Sequence, residues 1–173
     1  MACIKVATGP YQDQGCLFRL IHEYIYPKAV YIGGMNIDPK YAAAEMEIVK
    51  GIWMQKQGVQ LWHFILSFSE IESAQYVNPK DARYIAYEIC EYFADKYQIV
   101  FGIHAGPNLH IHFVINSVSF WDGKRYSGSN MDFHNLRKYT LSILSCPVNI
   151  YFNVSVGRES PLRAGRKSPI IVK

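Results

Sequence analysis

Three histidines in the segment 104–116 are the residues of this chain most able to do chemistry. His110 and His112 alternate with apolar residues, so in a strand both imidazoles point to the same face of a sheet. His104 lies six residues before His110, across a Gly-Pro turn, and reaches the same point from a neighbouring strand. A lone strand histidine is usually a satisfied polar residue, but three so close together predict a metal site. Three imidazoles suit Zn, Mn, Fe, Ni or Cu and leave coordination positions open, as catalytic sites do.

Two further polar residues are predicted to support these ligands. In the segment 61–68, His63 shares a face with serines, while the alternate positions are apolar. If this strand lies beside the histidine strand, His63 is placed to hydrogen-bond a ligand, although an ordinary edge polar residue is the commoner explanation. Asn116, at the end of the histidine strand, is given the same supporting role.

The elements that must position these residues follow from periodicity and from breakers. Asp38-Pro39 and Asn78-Pro79 are typical helix starts, and the turn 105–107 is short enough for an antiparallel hairpin. The pattern predicts an α+β fold, a two-layer sandwich with a mainly antiparallel sheet of about five strands and helices packed on one face. The predicted strands are 3–8, 61–68, 98–104, 109–118 and 148–156; the predicted helices are 16–26, 38–57, 79–97 and 132–145.

Composition indicates one folded domain. The chain has 173 residues, of which 50% are hydrophobic and 18% charged, and its net charge of +4 is compatible with a polyanionic partner. The four cysteines are scattered and are expected to be reduced. We expect one domain over 1–156 and a basic tail or linker over 157–173. Without an apolar leader or a membrane span, a cytoplasmic location is expected.

The spacing of the metal ligands does not by itself name a reaction, and the 13 tyrosines of the chain are too many for spacing to select one as a nucleophile. Tyr24 and Tyr26 are the best local candidates, because they end a predicted helix where a side chain can leave the core and face the sheet. For any single tyrosine, packing remains the commoner role.

Several motifs together resemble one family. His104 with His110-Ile-His112, followed by the segment 117–126 (SVSFWDGKRY), resembles the His-hydrophobic-His signature of relaxases, the mobilisation and conjugation nucleases of the HUH endonuclease superfamily. The strand 62–69, the helix 79–97 and the segment 132–137 resemble the elements around it. Glu23-Tyr24-Ile25 resembles the N-terminal tyrosine motif. The resemblance covers about residues 15–140 and implies an HUH palm-like sheet.

The resemblance implies a reaction. Tyr24, with Tyr26 as the alternative, attacks a phosphodiester of single-stranded DNA at a transfer origin and forms a 5′-phosphotyrosyl link, for plasmid or conjugative-element mobilisation. His104, His110 and His112 hold a divalent ion, Mn or Mg with Zn as a further possibility, that polarises the phosphate. Accessory relaxosome or coupling proteins are implied as partners.

The chain departs from the relaxase pattern beside His104. An acid often follows that histidine by two residues, and here the sequence is His104-Ala-Gly. Asp13, Glu23 and Glu70 are possible substitutes, and the sequence does not choose between them.

Cationic residues near aromatics are predicted to hold DNA. Lys124 and Arg125 lie beside Trp121, and Arg137 lies in the last predicted helix. Two other functions stay open: a three-histidine metal hydrolase that forms no covalent adduct, and a non-catalytic module that binds single-stranded nucleic acid.

Overall fold

A computed structural model describes residues 2–9, 11–13, 15–75, 79–144 and 146–155 of the chain. A six-stranded sheet forms its centre, in the spatial order β2-β4-β5-β3-β1-β6. The strands are β1 Ala2–Thr8, β2 Tyr31–Met35, β3 Leu61–Ser67, β4 Ile99–His104, β5 His110–Asn116 and β6 Val148–Ser155. The basic tail expected over 157–173 lies outside the described residues.

The α+β class and the mainly antiparallel sheet are confirmed. The named strand pairs are antiparallel except β1 with β6, which is parallel. The hairpin predicted around 105–107 joins β4 to β5, and His104 lies directly opposite His110 across it. β5 has a strand on each side, so the histidine strand is central in the sheet.

The sheet has one more strand than the predicted five. β2 reads Tyr-Ile-Gly-Gly-Met, and its two glycines hid the strand pattern. The glycines are needed for close packing: a Cβ on Gly33 would lie 2.4 Å from a ring carbon of Phe101 on β4. The close packing of β2 on β4 therefore favours glycine, although glycine is otherwise a poor strand residue.

The helices lie in sequence between the strands. The first, α1, runs over 16–28 as a turn of α-helix Cys16–Phe18, a π-helical stretch Arg19–Ile25 and a 3₁₀ turn Tyr26–Lys28. The others are α2 Ala42–Ile52, preceded by a 3₁₀ turn Pro39–Tyr41, then α3 Glu70–Gln75, α4 Pro79–Glu91 and α5 Asn130–Leu144.

The helix boundaries are shorter than predicted in two cases. The predicted N-cap is confirmed, because the Asp38 carboxylate accepts from the Lys40 amide at 2.9 Å. α2 then ends at Ile52 rather than near 57, since Met54 takes a left-handed conformation with φ of 52°. α4 ends at Glu91, and turns replace the predicted helix up to 97.

α3 was not predicted at all, and α5 begins two residues earlier than expected. Ser129 caps α5, because its hydroxyl accepts a hydrogen bond from the Asp132 amide while its own amide donates to the Asp132 carboxylate. That reciprocal pair is a capping box. Asp132 therefore lies inside the first turn and does not start the helix.

Helices cover both faces of the sheet, and the prediction of helices on one face was wrong in this respect. α4 and α5 pack on the face that carries Phe64, Phe101 and Phe113. α1 and α2 pack on the other face, against Val100 and Val114. The second layer forms because this face, although it carries the histidines, also has apolar side chains at one end. The helices α1 and α2 thereby bring the N-terminal residues over the histidine strand.

Candidate functional site

His104, His110 and His112 converge on one face of the sheet, as their spacing predicted. Each offers one ring nitrogen, and these three atoms lie within 4.8 Å of one another. His104 and His112 are buried and His110 is half-buried. In the described part of the chain, no other group of three histidine, cysteine or acidic side chains is arranged in this way.

Each of these imidazoles uses one ring nitrogen within the protein and keeps the other. His104 Nε2 donates to the Ile25 carbonyl at 2.8 Å, and His110 Nδ1 donates to the Asn108 carbonyl at 3.0 Å. Since a carbonyl can only accept, these bonds fix the tautomers and leave a lone pair on His104 Nδ1 and on His110 Nε2.

The third imidazole is held by another histidine. His112 Nδ1 lies 2.9 Å from His63 Nε2, and the two rings are stacked with centroids 5.2 Å apart. His63 Nδ1 in turn lies 3.0 Å from the hydroxyl of Tyr11. Tyr11, His63 and His112 thus form a continuous hydrogen-bonded chain that leaves His112 Nε2 available.

Burial keeps these rings uncharged near neutral pH. Loss of hydration is the main cause that lowers the pKa of His104, of His110 and of His112, and the neighbouring histidines and Lys28 lower the pKa of His112 further. Burial also lowers the pKa of His63, to about 3. Neutral imidazole is the form that binds a metal, so the three free lone pairs fit a divalent ion.

The two candidate nucleophiles differ in where their rings lie. The Tyr24 ring stands edge-on to His112, with centroids 5.8 Å apart. The Tyr26 hydroxyl donates to the Pro39 carbonyl at 3.0 Å, and its ring lies against His22. Burial raises the pKa of Tyr26, which disfavours its anion. Of these two tyrosines, only Tyr24 has its ring beside one of the three converging histidines.

A lysine that was not singled out from the sequence also lies at the site. Lys28 Nζ is 5.5 Å from the centre of the Tyr24 ring, and its charge contributes to the lowered pKa of all three histidines. Lys28 follows Tyr24 by four residues in α1, a spacing that places two side chains on one side of an α-helix. The π-helical geometry before it could not be anticipated.

The three suggested acids do not join the histidine group. Asp13 pairs with Arg19 at the surface, and Glu23 and Glu70 are exposed on α1 and α3. Among the described side chains, it is His63 that hydrogen-bonds a member of the histidine trio (His104, His110 and His112).

Asn116 is not near the histidines. Four residues along an extended strand separate it from His112, which corresponds to about 13 Å. Its amide accepts from the buried Lys50 ammonium at 2.6 Å and donates to Gln98 at 2.9 Å and to the Met46 carbonyl at 3.2 Å. The sequence alone could not show whether Asn116 makes these contacts or supports the metal ligands.

The predicted DNA contacts also lie away from the histidines. Lys124 and Arg125 follow β5 at its Asn116 end, and the Arg125 guanidinium donates to backbone carbonyls of Gln55, Gln57 and Val59. Arg137 is on α5, on the opposite side of the sheet, and donates to the Val148 carbonyl at 2.5 Å. DNA contact by these residues stays a prediction.

Within the described residues, no helix is long and apolar enough to cross a membrane.

Comparison with known proteins places the chain. The nuclease-domain model of the MobA/VirD2-like relaxases matches residues 26–144. That segment contains the three histidines and Tyr26, and it begins two residues after Tyr24. Two proteins of Staphylococcus aureus, both named Protein rlx, are similar: one is 28% identical over 107 residues, the other 24% over 116 residues. These matches cover 61% and 66% of the present chain.

The chain spans about a third of the length of these relatives, 33% and 34%. No solved structure gives a significant match. The family match covers more than half of the chain and includes the whole histidine strand. The protein therefore belongs to the MobA/VirD2-like relaxase family and corresponds to the nuclease domain of that family.

Proposed function

We propose that this domain nicks single-stranded DNA at a transfer origin through a covalent tyrosine adduct, with Tyr24 as the nucleophile. The observation that carries the proposal is the edge-on contact of the Tyr24 ring with His112, 5.8 Å between centroids, beside three imidazoles with free lone pairs. For such a step, the nucleophile must lie close to the metal ion that polarises the phosphate. The Tyr24 ring and the three imidazoles are close enough for this arrangement.

The histidine trio holds the divalent ion in this proposal, through His104 Nδ1, His110 Nε2 and His112 Nε2. The ion supplies polarisation of the scissile phosphate and offsets its developing negative charge. An all-imidazole ligand set favours Mn over Mg, since Mg prefers oxygen ligands.

Bond formation and cleavage balance without any further reactant. The Tyr24 hydroxyl loses its proton and its oxygen bonds to phosphorus, while the bond from phosphorus to the 3′-oxygen of the preceding nucleotide breaks. The products are a 5′-phosphotyrosyl link and a 3′-hydroxyl, which takes up a proton. The adduct keeps the strand available for rejoining, because the reverse attack by a 3′-hydroxyl releases the tyrosine.

His63 and Tyr11 take the place of the acid that is absent beside His104. For His112 to offer Nε2 as a neutral ligand, its Nδ1 must carry the proton and donate to His63 Nε2. His63 then carries its own proton on Nδ1 and donates it to the Tyr11 oxygen, 3.0 Å away. This chain orients His112 as a carboxylate orients metal-binding histidines elsewhere.

A randomised single-stranded oligonucleotide library tests the proposal and requires no assumption about which DNA sequence is recognised. The library, labelled at both ends in separate preparations, is incubated with the protein and Mn, and adducts that survive denaturation are isolated. We expect an adduct on the fragment that lies 3′ to the cut. Sequencing of the captured fragments then identifies the recognised site.

Two matched phenylalanine variants assign the nucleophile. Tyr24→Phe is expected to abolish the adduct, whereas Tyr26→Phe is expected to retain it, because the Tyr26 hydroxyl is bonded to Pro39. An adduct that survives Tyr24→Phe but not Tyr11→Phe would reassign the nucleophile to Tyr11. Cleavage without an adduct would favour the metal hydrolase, and binding without cleavage would favour the non-catalytic module.

A further inference from the structure

Lys5 is the only lysine, arginine, aspartate or glutamate in the six strands of the sheet. It lies in β1, is half-buried, and its Nζ donates to the Ser67 hydroxyl at 3.4 Å. Ser67 is paired in register with His110 across β3 and β5. Lys5 therefore faces the same side of the sheet as the histidines, and its charge contributes to the lowered pKa of His110.

The strand beyond β1 continues this surface with an aromatic ring. Tyr151 of β6 is paired with Lys5 and is 42% exposed. Its neighbours Ile150 and Phe152 pack against the core on the other face. Because side chains alternate along a strand, Tyr151 points to the histidine side. The described helices α1 and α2 pack over β4, β5 and one end of β3, and neither packs on β1 or β6 in the apolar cluster that they form.

The charge pattern of this surface fits one kind of partner. Val30, two residues after Lys28, donates to the Ile103 carbonyl on β4, whereas Lys5 lies on β1, so the two lysines lie towards opposite edges of the sheet from β5. No strand contributes an acid. Single-stranded nucleic acid is bound by cations that contact successive phosphates and by aromatic rings on which bases stack. Both kinds of group are present here, in one line with the metal-binding histidines.

We propose that single-stranded DNA crosses this face from Lys28, over the histidine trio, to Lys5 and Tyr151. In this arrangement Lys28 and Lys5 each contact a phosphate beside the scissile one, and Tyr151 stacks with a base on the β6 side. The inference rests on the proposed function for its ligand, but it names residues and a path across the sheet that the reaction itself does not require.

Salt dependence separates the two kinds of contact. The assay is fluorescence anisotropy with a labelled single-stranded library in EDTA, using the Tyr24→Phe protein so that no cleavage occurs. Each phosphate contact contributes about 0.7 to the slope of log affinity against log salt for single strands. Lys5→Ala and Lys28→Ala are each expected to reduce the slope by about this amount. Tyr151→Ala is expected to weaken binding about tenfold without changing the slope.

Matched controls lie on the opposite side of the sheet. Lys138→Ala on α5 and Tyr84→Ala on α4 remove the same groups from exposed positions there, and we expect neither to change affinity or slope. Tyr151→Phe should bind as the parent does. Thermal unfolding of each variant identifies any that fails to fold; Lys5→Met and Tyr151→Leu then replace Lys5→Ala and Tyr151→Ala, because they keep apolar volume in the strand.

The outcomes distinguish this inference from the proposed function. If Lys5, Lys28 and Tyr151 variants bind like their controls while adduct formation persists, the DNA path is wrong and the nuclease proposal stands. If the three variants behave as expected but no adduct forms on any library member, the path is right and the covalent reaction is wrong. Equal losses in Lys138→Ala and Lys5→Ala would overturn the path in favour of unspecific charge attraction.

Discussion

The two ends of strand β5 both carry buried polar side chains on the same face, and they differ in what those side chains leave unused. At the start of the strand lie His110, His112 and, opposite His110 on β4, His104, and each of these imidazoles keeps one ring nitrogen free of bonds to the described residues. At the end, the amide of Asn116 is bonded to Lys50, Gln98 and Met46. Buried polar groups are normally satisfied. Convergent free lone pairs, rather than burial or polarity, therefore distinguish the end of β5 to which we assign the proposed function.

The comparison predicts that substitutions at the two ends have opposite effects on metal affinity and on stability. His110→Ala removes a ligand whose ring is hydrogen-bonded to a backbone carbonyl two residues away. We expect Mn affinity to fall about a hundredfold or more, since loss of a supporting group alone typically costs about 10–100-fold. The free energy of unfolding in EDTA should change by less than about 1 kcal/mol.

Isothermal titration with Mn and urea unfolding in EDTA measure the two quantities on the same preparation. His134→Ala, a half-buried histidine on α5, is the matched control and should keep the parent's Mn affinity. Unchanged Mn affinity in His110→Ala would show that the trio does not hold the ion.

At the other end of β5, Asn116→Ala leaves the Lys50 ammonium without its closest acceptor. The ammonium is buried, and burial already lowers its pKa to about 8. We expect the free energy of unfolding to fall by about 2–4 kcal/mol, because the buried charged donor keeps only a long bond of 3.5 Å to the Met46 carbonyl. Urea unfolding measures this loss, while Mn affinity should stay at the parent value.

A double-mutant cycle tests the cause of that loss. Lys50→Met and Asn116→Leu each break the contact when introduced alone, and the double variant that carries both should recover part of the stability because neither polar group remains. Strict additivity of the two single losses would contradict a direct contribution from the bond. A fall in Mn affinity in Asn116→Ala would instead restore this residue to the metal site.

The sequence was sufficient to predict that the three histidines converge. It was not sufficient to predict that the polar side chains at the two ends of β5 have different contacts. Period-two alternation and a short turn placed His104, His110 and His112 together, because strand geometry and hairpin register are local rules. The partners of Asn116 come from residues 18 to 70 positions away. No local pattern encodes such contacts, so the supporting role predicted for Asn116 beside the metal ligands does not agree with the contacts that it makes.

The rest of the site depends on how α1 and the first loop cross the sheet. Tyr11 contacts His63 from 52 residues away, and Lys28 reaches the trio from a helix whose π-helical part has no clear sequence signal. The predicted cations 124, 125 and 137 were chosen for their proximity to aromatics along the chain. Folding places them elsewhere, since the long sheet separates the loop after β5 from the histidines.

A pH effect on stability is expected at the histidine end. The pKa of His63 is lowered to about 3 in the folded protein, against an ordinary value of about 6.5 when unfolded. Between these values the unfolded chain binds the additional proton, so stability is present above pH 6.5 and is lost as the pH falls towards 3. Other buried imidazoles of the trio act in the same direction.

Urea unfolding in EDTA from pH 7.5 to 5 measures this effect before the carboxylates titrate. We expect a loss on the order of 1–2 kcal/mol over this range. His63→Gln should make the dependence less steep by the contribution of one imidazole, whereas Lys50→Met, at the other end of β5, should leave its slope unchanged. An equally steep dependence in His63→Gln would assign the effect to other groups.

The smallest effect is expected for the loop that follows the Asn116 end. Arg125 donates to three backbone carbonyls of the segment 55–59, whereas Lys124 is exposed and only 3.7 Å from Asp122. Arg125→Met should therefore lower the free energy of unfolding by about 1–2 kcal/mol, and Lys124→Met by less than about 0.5 kcal/mol. Neither should change the salt slope of DNA binding, because both lie about four strand residues or more beyond His112. A reduced slope in Lys124→Met would extend the DNA path along the whole of β5 and would remove the functional contrast between its ends.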